Sequence, residues 1–174
     1  MKKDYSLYKS SLKSKNSKTN LNNPLKGRVI FFRPWKISMV SKLIFMGEKL
    51  NLLKIFLLSI YELLIGKSQI QIEIIAYYLN GEIISYAICQ DINYHLPSEN
   101  STGIEVGTAY TKDNYRGLGL YPYIIQNVIK KNNQDIYMIS KTSNISSTKG
   151  IEKAGLIFKK TISRRVTFFY PKYD

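Results

Sequence analysis

The residues with the clearest chemical potential stand at Tyr115-Arg116-Gly117-Leu118-Gly119-Leu120, where a β-rich run ends and a helical run begins. Two closely spaced glycines let the backbone turn sharply and leave its N–H groups uncovered by side chains. Together with the positive end of the following helix they make a site for a phosphate or pyrophosphate, to which Arg116 adds a guanidinium. The same pattern also serves as a plain turn. Dinucleotide and ATP fingerprints do not fit, because Pro122 occupies the place of a third glycine and no Gly-Lys-Ser/Thr follows. His95, the sole histidine, lies in the polar loop before Gly103, so it is a candidate base or an exposed loop residue. A single cysteine, Cys89, excludes an internal disulfide and reads as a small core residue. No Cys/His cluster is present, and no metal is expected.

These residues need a scaffold. The pattern predicts a strand over 27–33, helical material over 37–64, and strands over 70–79 and 82–90 joined by Asn80-Gly81. That dipeptide tolerates positive φ at both turn positions, hence a tight hairpin. A strand over Gly103–Thr111 leads into the glycine turn, followed by a helix over 120–131 and a strand over 135–140. A short helix over 146–153, stopped by Gly155, and one or two strands over 156–170 complete the chain. The result is a single mixed α/β domain.

A second segment, Asn144-Ile-Ser-Ser-Thr-Lys-Gly-Ile-Glu-Lys-Ala-Gly-Leu156, gives the first one meaning. Together they resemble the GNAT family of acyl-CoA-dependent N-acyltransferases. That family carries Arg/Gln-x-x-Gly-x-Gly/Ala after its fourth strand, then Asn-x-x-Ala-x-x-x-Tyr-Glu-Lys-x-Gly-Phe. Arg116 and Gly119 fall on the first motif; Asn144, Ser147, Glu152, Lys153, Gly155 and Leu156 fall on the second. The resemblance covers residues 70–160 in detail and 27–160 in topology. It implies a mostly antiparallel mixed sheet, splayed between strands four and five (Gly103–Thr111 and 135–140), with helices on both faces.

The resemblance implies acetyl-CoA as co-substrate and an amine as acceptor. The pyrophosphate would lie on Arg116, Gly117, Leu118, Gly119 and Leu120, the pantetheine along Gly107, Thr108 and Tyr110, with Asn144 and Ser147 on the far wall. A backbone N–H near Thr108 would polarise the thioester carbonyl. Glu105, eleven residues before Arg116, matches the catalytic glutamate of the histone-acetylating branch and is the expected general base; it is equally placed to be an edge glutamate. Two positions depart from the pattern. Ile151 stands where the family often has a proton-donating tyrosine, and Tyr121 replaces a small residue. Tyr121, Tyr110 or Tyr123 could donate instead, and Tyr121 is the expected donor.

The formal charge of +14 over 174 residues admits nucleic acid, anionic lipid or a phosphate-bearing ligand as partners. Residues 1–26, with seven lysines against one acid, hold +6 of it and read as a mobile basic tail, leaving residues 27–174 as the catalytic domain with +8. The tail lacks the apolar segment of a signal peptide, and cytoplasmic residence is expected. The apolar run 50–66 is interrupted by Lys54 and Glu62, so it reads as a packed helix and nothing is expected to span a membrane.

The leading expectation is acetyl transfer to a small-molecule amine. The Leu120-Tyr121 pair resembles GNAT-fold proteins of bacterial surface-glycan pathways, which points to an amino sugar. Two alternatives stand beside it: a toxin-like GNAT acetylating aminoacyl-tRNA, and a degenerate GNAT fold used as a binding module.

Overall fold

The computed structural model describes residues 4–10, 21–33, 72–96, 102–166 and 171–173. Their elements are β1 (Asp4–Ser10), β2 (Arg28–Phe32), β3 (Glu73–Leu79), β4 (Glu82–Asp91), β5 (Gly103–Thr111), α1 (Leu120–Lys131), β6 (Asp135–Lys141), α2 (Ile145–Lys153), β7 (Leu156–Val166) and β8 (Pro171–Tyr173). The strands form one sheet in the order β2-β3-β4-β5-β6-β1-β7-β8. Among the described residues only β5 and β6 pair in parallel. The helices expected over 37–64 and the apolar run 50–66 lie outside the described residues.

Local chemistry accounts for most boundaries. Asn80 and Gly81 take φ of 47° and 88°, the paired positive values that a two-residue hairpin between β3 and β4 needs. α1 begins at Gly119, whose φ is 79°, and α2 is capped by Asn144, whose side chain accepts from the Ser147 N–H. Gly155, at φ 99°, stops α2 and turns the chain into β7. The sequence 156–166 makes one long strand, with β8 added at its side.

α1 and α2 pack on the same face of the sheet. Leu120, Ile124, Ile125, Val128 and Ile151 close over Ile75, Tyr77, Cys89, Val106 and Met138. Strand alternation sends Ile74, Ala76, Tyr86 and Ile88 to the opposite face, where they are buried in a second cluster. A third cluster on that side gathers Tyr5, Leu7, Ile92, Leu96, Tyr137 and Ile162. Cys89 is a buried core residue, and burial pushes its thiol up to about 12.

The amino terminus corrects the expectation of a mobile tail over 1–26. Asp4–Ser10 is a strand inside the sheet, antiparallel to both β6 and β7. Leu7 is fully buried and Lys9 pairs with Asp135 at 2.9 Å. Neighbouring lysines and serines gave the segment a soluble composition. Yet alternation of Tyr5 and Leu7, with a bulge between Leu7 and Tyr8, lets the aromatic and aliphatic side chains reach both faces of the core.

Candidate active site

β5 and β6 are in register for only three pairs, Gly103 with Asp135, Ile104 with Ile136 and Glu105 with Tyr137. Beyond Glu105 the two strands part, as expected for strands four and five of the sequence reading. A two-residue bulge accompanies the divergence: Gly107 pairs with Ile88 and Tyr110 with Tyr86, so Thr108 and Ala109 together oppose one residue of β4. Thr108 holds a positive φ of 43°, and the ladder is interrupted there.

The opening is a cavity of about 790 Å³, large enough for an extended cofactor-sized ligand. Residues 106–111 of β5 form one wall and residues 138–141 of β6 the other. One end is made by Gly117, Gly119 and the first turn of α1, the other side by residues of α2 from Ser146 to Lys153. Gly117 and Gly119 each have φ of 79°, which disfavours any side chain, and a Cβ on either would point into open space. The amide-lined start of a twelve-residue helix thus faces the cavity with no side chain in the way.

Of the residues singled out from the sequence, Gly107, Thr108, Tyr110, Arg116, Gly117, Gly119, Leu120, Tyr121, Asn144 and Ser147 line this cavity. Leu118 does not: it is exposed and turned outward, a correction that follows from the left-handed glycines on either side of it. Arg116 stands at the rim with its guanidinium held by Asp113 at 2.9 Å and by the Thr111 carbonyl at 3.2 Å. The Asn144 carboxamide is committed to capping α2, accepting from Ser147 N and Ser146 Oγ.

Tyr121 leans from α1 onto α2. Its ring lies against Gly150, where a Cβ would meet it at 2.6 Å, and its hydroxyl is 3.3 Å from Ser147 Oγ. Burial raises its phenol above the ordinary value, so it stays protonated at neutral pH. Ile151, by contrast, is fully buried in the helix-side core.

Glu105 is 4% exposed and lies on the face away from the helices. His95 Nδ1 is 2.6 Å from its Oε2, and Gln90 Nε2 donates to the same oxygen at 3.1 Å. The base candidate and its alternative from the sequence are therefore partners. Glu105 does not form the cavity wall; its Oε1 lies 3.4 Å from where a Cβ of Gly107 would stand, and Gly107 does line the cavity.

The sequence reading missed several lining residues. Lys149 and Lys153 both face the cavity from α2. Lys153 falls on the second motif, which gave it no role at the cavity, and the i,i+4 spacing of the pair within that motif was the available signal. Lys141 enters from the end of β6. Tyr5 enters from β1, and nothing local announced it. Its hydroxyl is 3.5 Å from Arg164 Nη1, and its ring meets that of Tyr173 edge-on at 5.1 Å. Burial, Tyr5 and the Glu105 carboxylate push the Tyr173 phenol up to about 12. Among the described residues no group of His, Cys, Asp and Glu is arranged to hold a metal ion, and no helix is long and apolar enough to cross a membrane.

No protein-family model and no curated protein matches the sequence. Solved structures do match in fold. A GNAT-family acetyltransferase from Colwellia psychrerythraea superposes with a TM-score of 0.60 at 10% identity, covering 90% of this chain and 53% of its own. A putative GNAT acetyltransferase from Novosphingobium aromaticivorans gives 0.56 at 14% identity, covering 92% and 62%. A tandem GNAT protein of the clavulanic acid biosynthesis pathway gives 0.60 at 7% identity, covering 93% and 52%. The chain thus spans between about half and three fifths of the length of these structures. With the splayed strands, the bulge and the glycine turn already in place, the chain has the fold of the GNAT acetyltransferases.

Proposed function

We propose that the protein is an acyl-CoA-dependent N-acyltransferase that moves an acetyl group from acetyl-CoA to a primary amine of a small molecule. The single observation that carries this reading is the cavity between the diverging strands, which brings together the open amides of the glycine turn, the β5 bulge and the approach to a buried carboxylate. The Colwellia and Novosphingobium structures of the same fold are described as acetyltransferases.

The residues present fit acetyl-CoA. Gly117, Gly119 and the first turn of α1 would receive the pyrophosphate, with Lys149 and Lys153 supplying positive charge across the cavity. Val106, Leu120, Met138 and Ile139 give the apolar stretch that a pantetheine arm requires. Acetyl-CoA supplies an acyl group already activated as a thioester.

The chain's own residues supply position, charge and protons. The backbone amides at the Thr108 bulge would lie beside the thioester carbonyl and could polarise it. Glu105 takes a proton from the acceptor ammonium, directly or through a water, and leaves a nucleophilic amine. Tyr121, kept protonated by burial, would be the residue to supply a proton to the thiolate leaving group, since Ile151 stands where the family often has a tyrosine. A thiol of that kind titrates near ~8.5, so this donation helps without being obligatory.

The acceptor we favour is an amino sugar or sugar nucleotide, on the strength of the Leu120-Tyr121 pair, with the reaction in the cytoplasm. One observation favours a second reading, transfer to the amine of an aminoacyl-tRNA: the net charge of +14. Thermal-shift titration with acetyl-CoA, followed by thiol release in the presence of a panel of amines, tests the proposal. Stabilisation by acetyl-CoA with release dependent on a small amine supports it. No stabilisation at saturating acetyl-CoA overturns both enzyme readings and leaves a binding module. Release driven only by charged tRNA, falling steeply with salt, moves the assignment to the second.

A further inference from the structure

We propose that His95 and Gln90 are positioning residues that hold Glu105 by one oxygen and turn the other toward the cleft. The role given to Glu105 here rests on the acyltransferase reading above.

A carboxylate that is 4% exposed needs hydrogen-bond donors. Among the described residues two donors converge on Oε2: His95 Nδ1 at 2.6 Å and Gln90 Nε2 at 3.1 Å. The two donor nitrogens are themselves 2.9 Å apart. An amide N–H and an imidazole N–H cannot accept from each other while both point at the carboxylate. The assignment that makes both carboxylate bonds places a proton on Nδ1 and leaves the Gln90–His95 approach a packing contact. Glu105 is then pinned in one rotamer, with Oε1 directed to the side where Gly107 offers no side chain.

The clamp is in turn held by elements distant in the chain. His95 ends a short 3₁₀ turn, Ile92–Tyr94, capped by Asp91, whose Oδ1 accepts from Asn93 N at 2.7 Å. The His95 carbonyl accepts from the Tyr173 N–H at 3.0 Å, and the Tyr173 ring meets the imidazole edge-on at 6.0 Å. Strands β4, β5 and β8 therefore all contribute to the orientation of one carboxylate. Fixing a catalytic group to within a fraction of an ångström is worth a large factor in rate, and a supporting shell of this kind provides it.

The full-length protein tests this with two variants and two readouts. His95→Ala removes the donor; His95→Asn keeps an amide N–H close to the place of Nδ1. His95→Ala is expected to lower kcat about 10- to 100-fold with KM for acetyl-CoA essentially unchanged. His95→Asn is expected to restore most of that loss. In proton NMR the short Nδ1–H···Oε2 bond should give a low-field resonance that shifts in Glu105→Gln and vanishes in His95→Asn, independent of turnover. Melting temperatures verify that each variant is folded. If acetyl-CoA binds and reacts but His95→Ala turns over like wild type, or changes only KM, the positioning role is wrong. If the low-field resonance is present and acetyl-CoA neither stabilises nor reacts, it is the acyltransferase reading that falls.

Discussion

A methyl group at position 150 would sit 2.6 Å from Tyr121 Cδ1, well inside contact distance. Gly150 is therefore the complement of Tyr121: the helix on one side gives up a side chain so that the other can bring in a phenol. Gly150→Ala in the wild type should be destabilising, because overpacking at about 1–3 kcal/mol exceeds the ~1 kcal/mol of helix propensity gained. In a Tyr121→Ala background the same change should stabilise by up to about 1 kcal/mol, a reversal of sign that urea denaturation of the double-mutant cycle would read. Additive effects of the two substitutions would dismiss the pairing. At Glu105, substitution by Gln preserves shape and removes the carboxylate; on the acyltransferase reading proposed above, turnover should fall about 10²- to 10⁴-fold while acetyl-CoA affinity changes little. Unaltered turnover would hand the proton to water or to His95. The two departures at Tyr121 and Ile151 were legible in the sequence because they sit inside a motif. Their compensation by Gly150, and the meeting of His95 with Glu105, were not, because both depend on which side chains a fold brings face to face.

Elements separate along the same line. The Asn80-Gly81 hairpin, the glycine turn into α1 and the cap and stop of α2 are local in origin, and each lies where turn and cap chemistry puts it. β1 is the opposite case. Asp-Tyr-Ser-Leu-Tyr-Lys-Ser carries too few apolar residues to declare itself among lysines, and its partners, β6 and β7, lie more than a hundred residues downstream. Its place in the middle of the sheet is a non-local fact. Since Leu7 is fully buried, Leu7→Ala should cost about 2–5 kcal/mol, whereas a residue in a solvated tail would tolerate the change without measurable effect. Removing residues 1–10 should do more, because it strips the ladder from β6 and β7 together and exposes two unpaired strand edges. Size-exclusion chromatography of the truncated chain is expected to show aggregation. A monomeric, folded truncation would restore the tail reading.

At the scale of the whole molecule the charge of +14 and the buried titratable groups pull stability in opposite directions as pH rises. Burial, the main cause in both cases, lifts Cys89 from 9.0 to about 12 and Tyr173 from 10.0 to about 12. Asp135 also raises Lys9. Above pH 9 the unfolded chain begins to lose protons that the folded chain retains. The native state then binds more protons than the unfolded one, and stability must fall as pH climbs from 9 toward 12. Neutralising lysines over part of that range relieves self-repulsion and works the other way. Raw alkaline denaturation is thus a mixture, but comparison between variants separates it. Tyr173→Phe cannot ionise at that position, so urea midpoints followed from pH 8 to pH 11.5 should decline less steeply for the variant than for the wild type. Cys89→Ala should flatten the lower part of the same curve, starting from a lower plateau because a buried side chain has been cut back. Both effects depend on how the two groups are packed, Cys89 buried beneath α1 and Tyr173 half-buried between His95 and Tyr5. Parallel curves for wild type and Tyr173→Phe would mean that the carboxyl-terminal strand does not hold its tyrosine in that position, and with it would go one support of the Glu105 clamp.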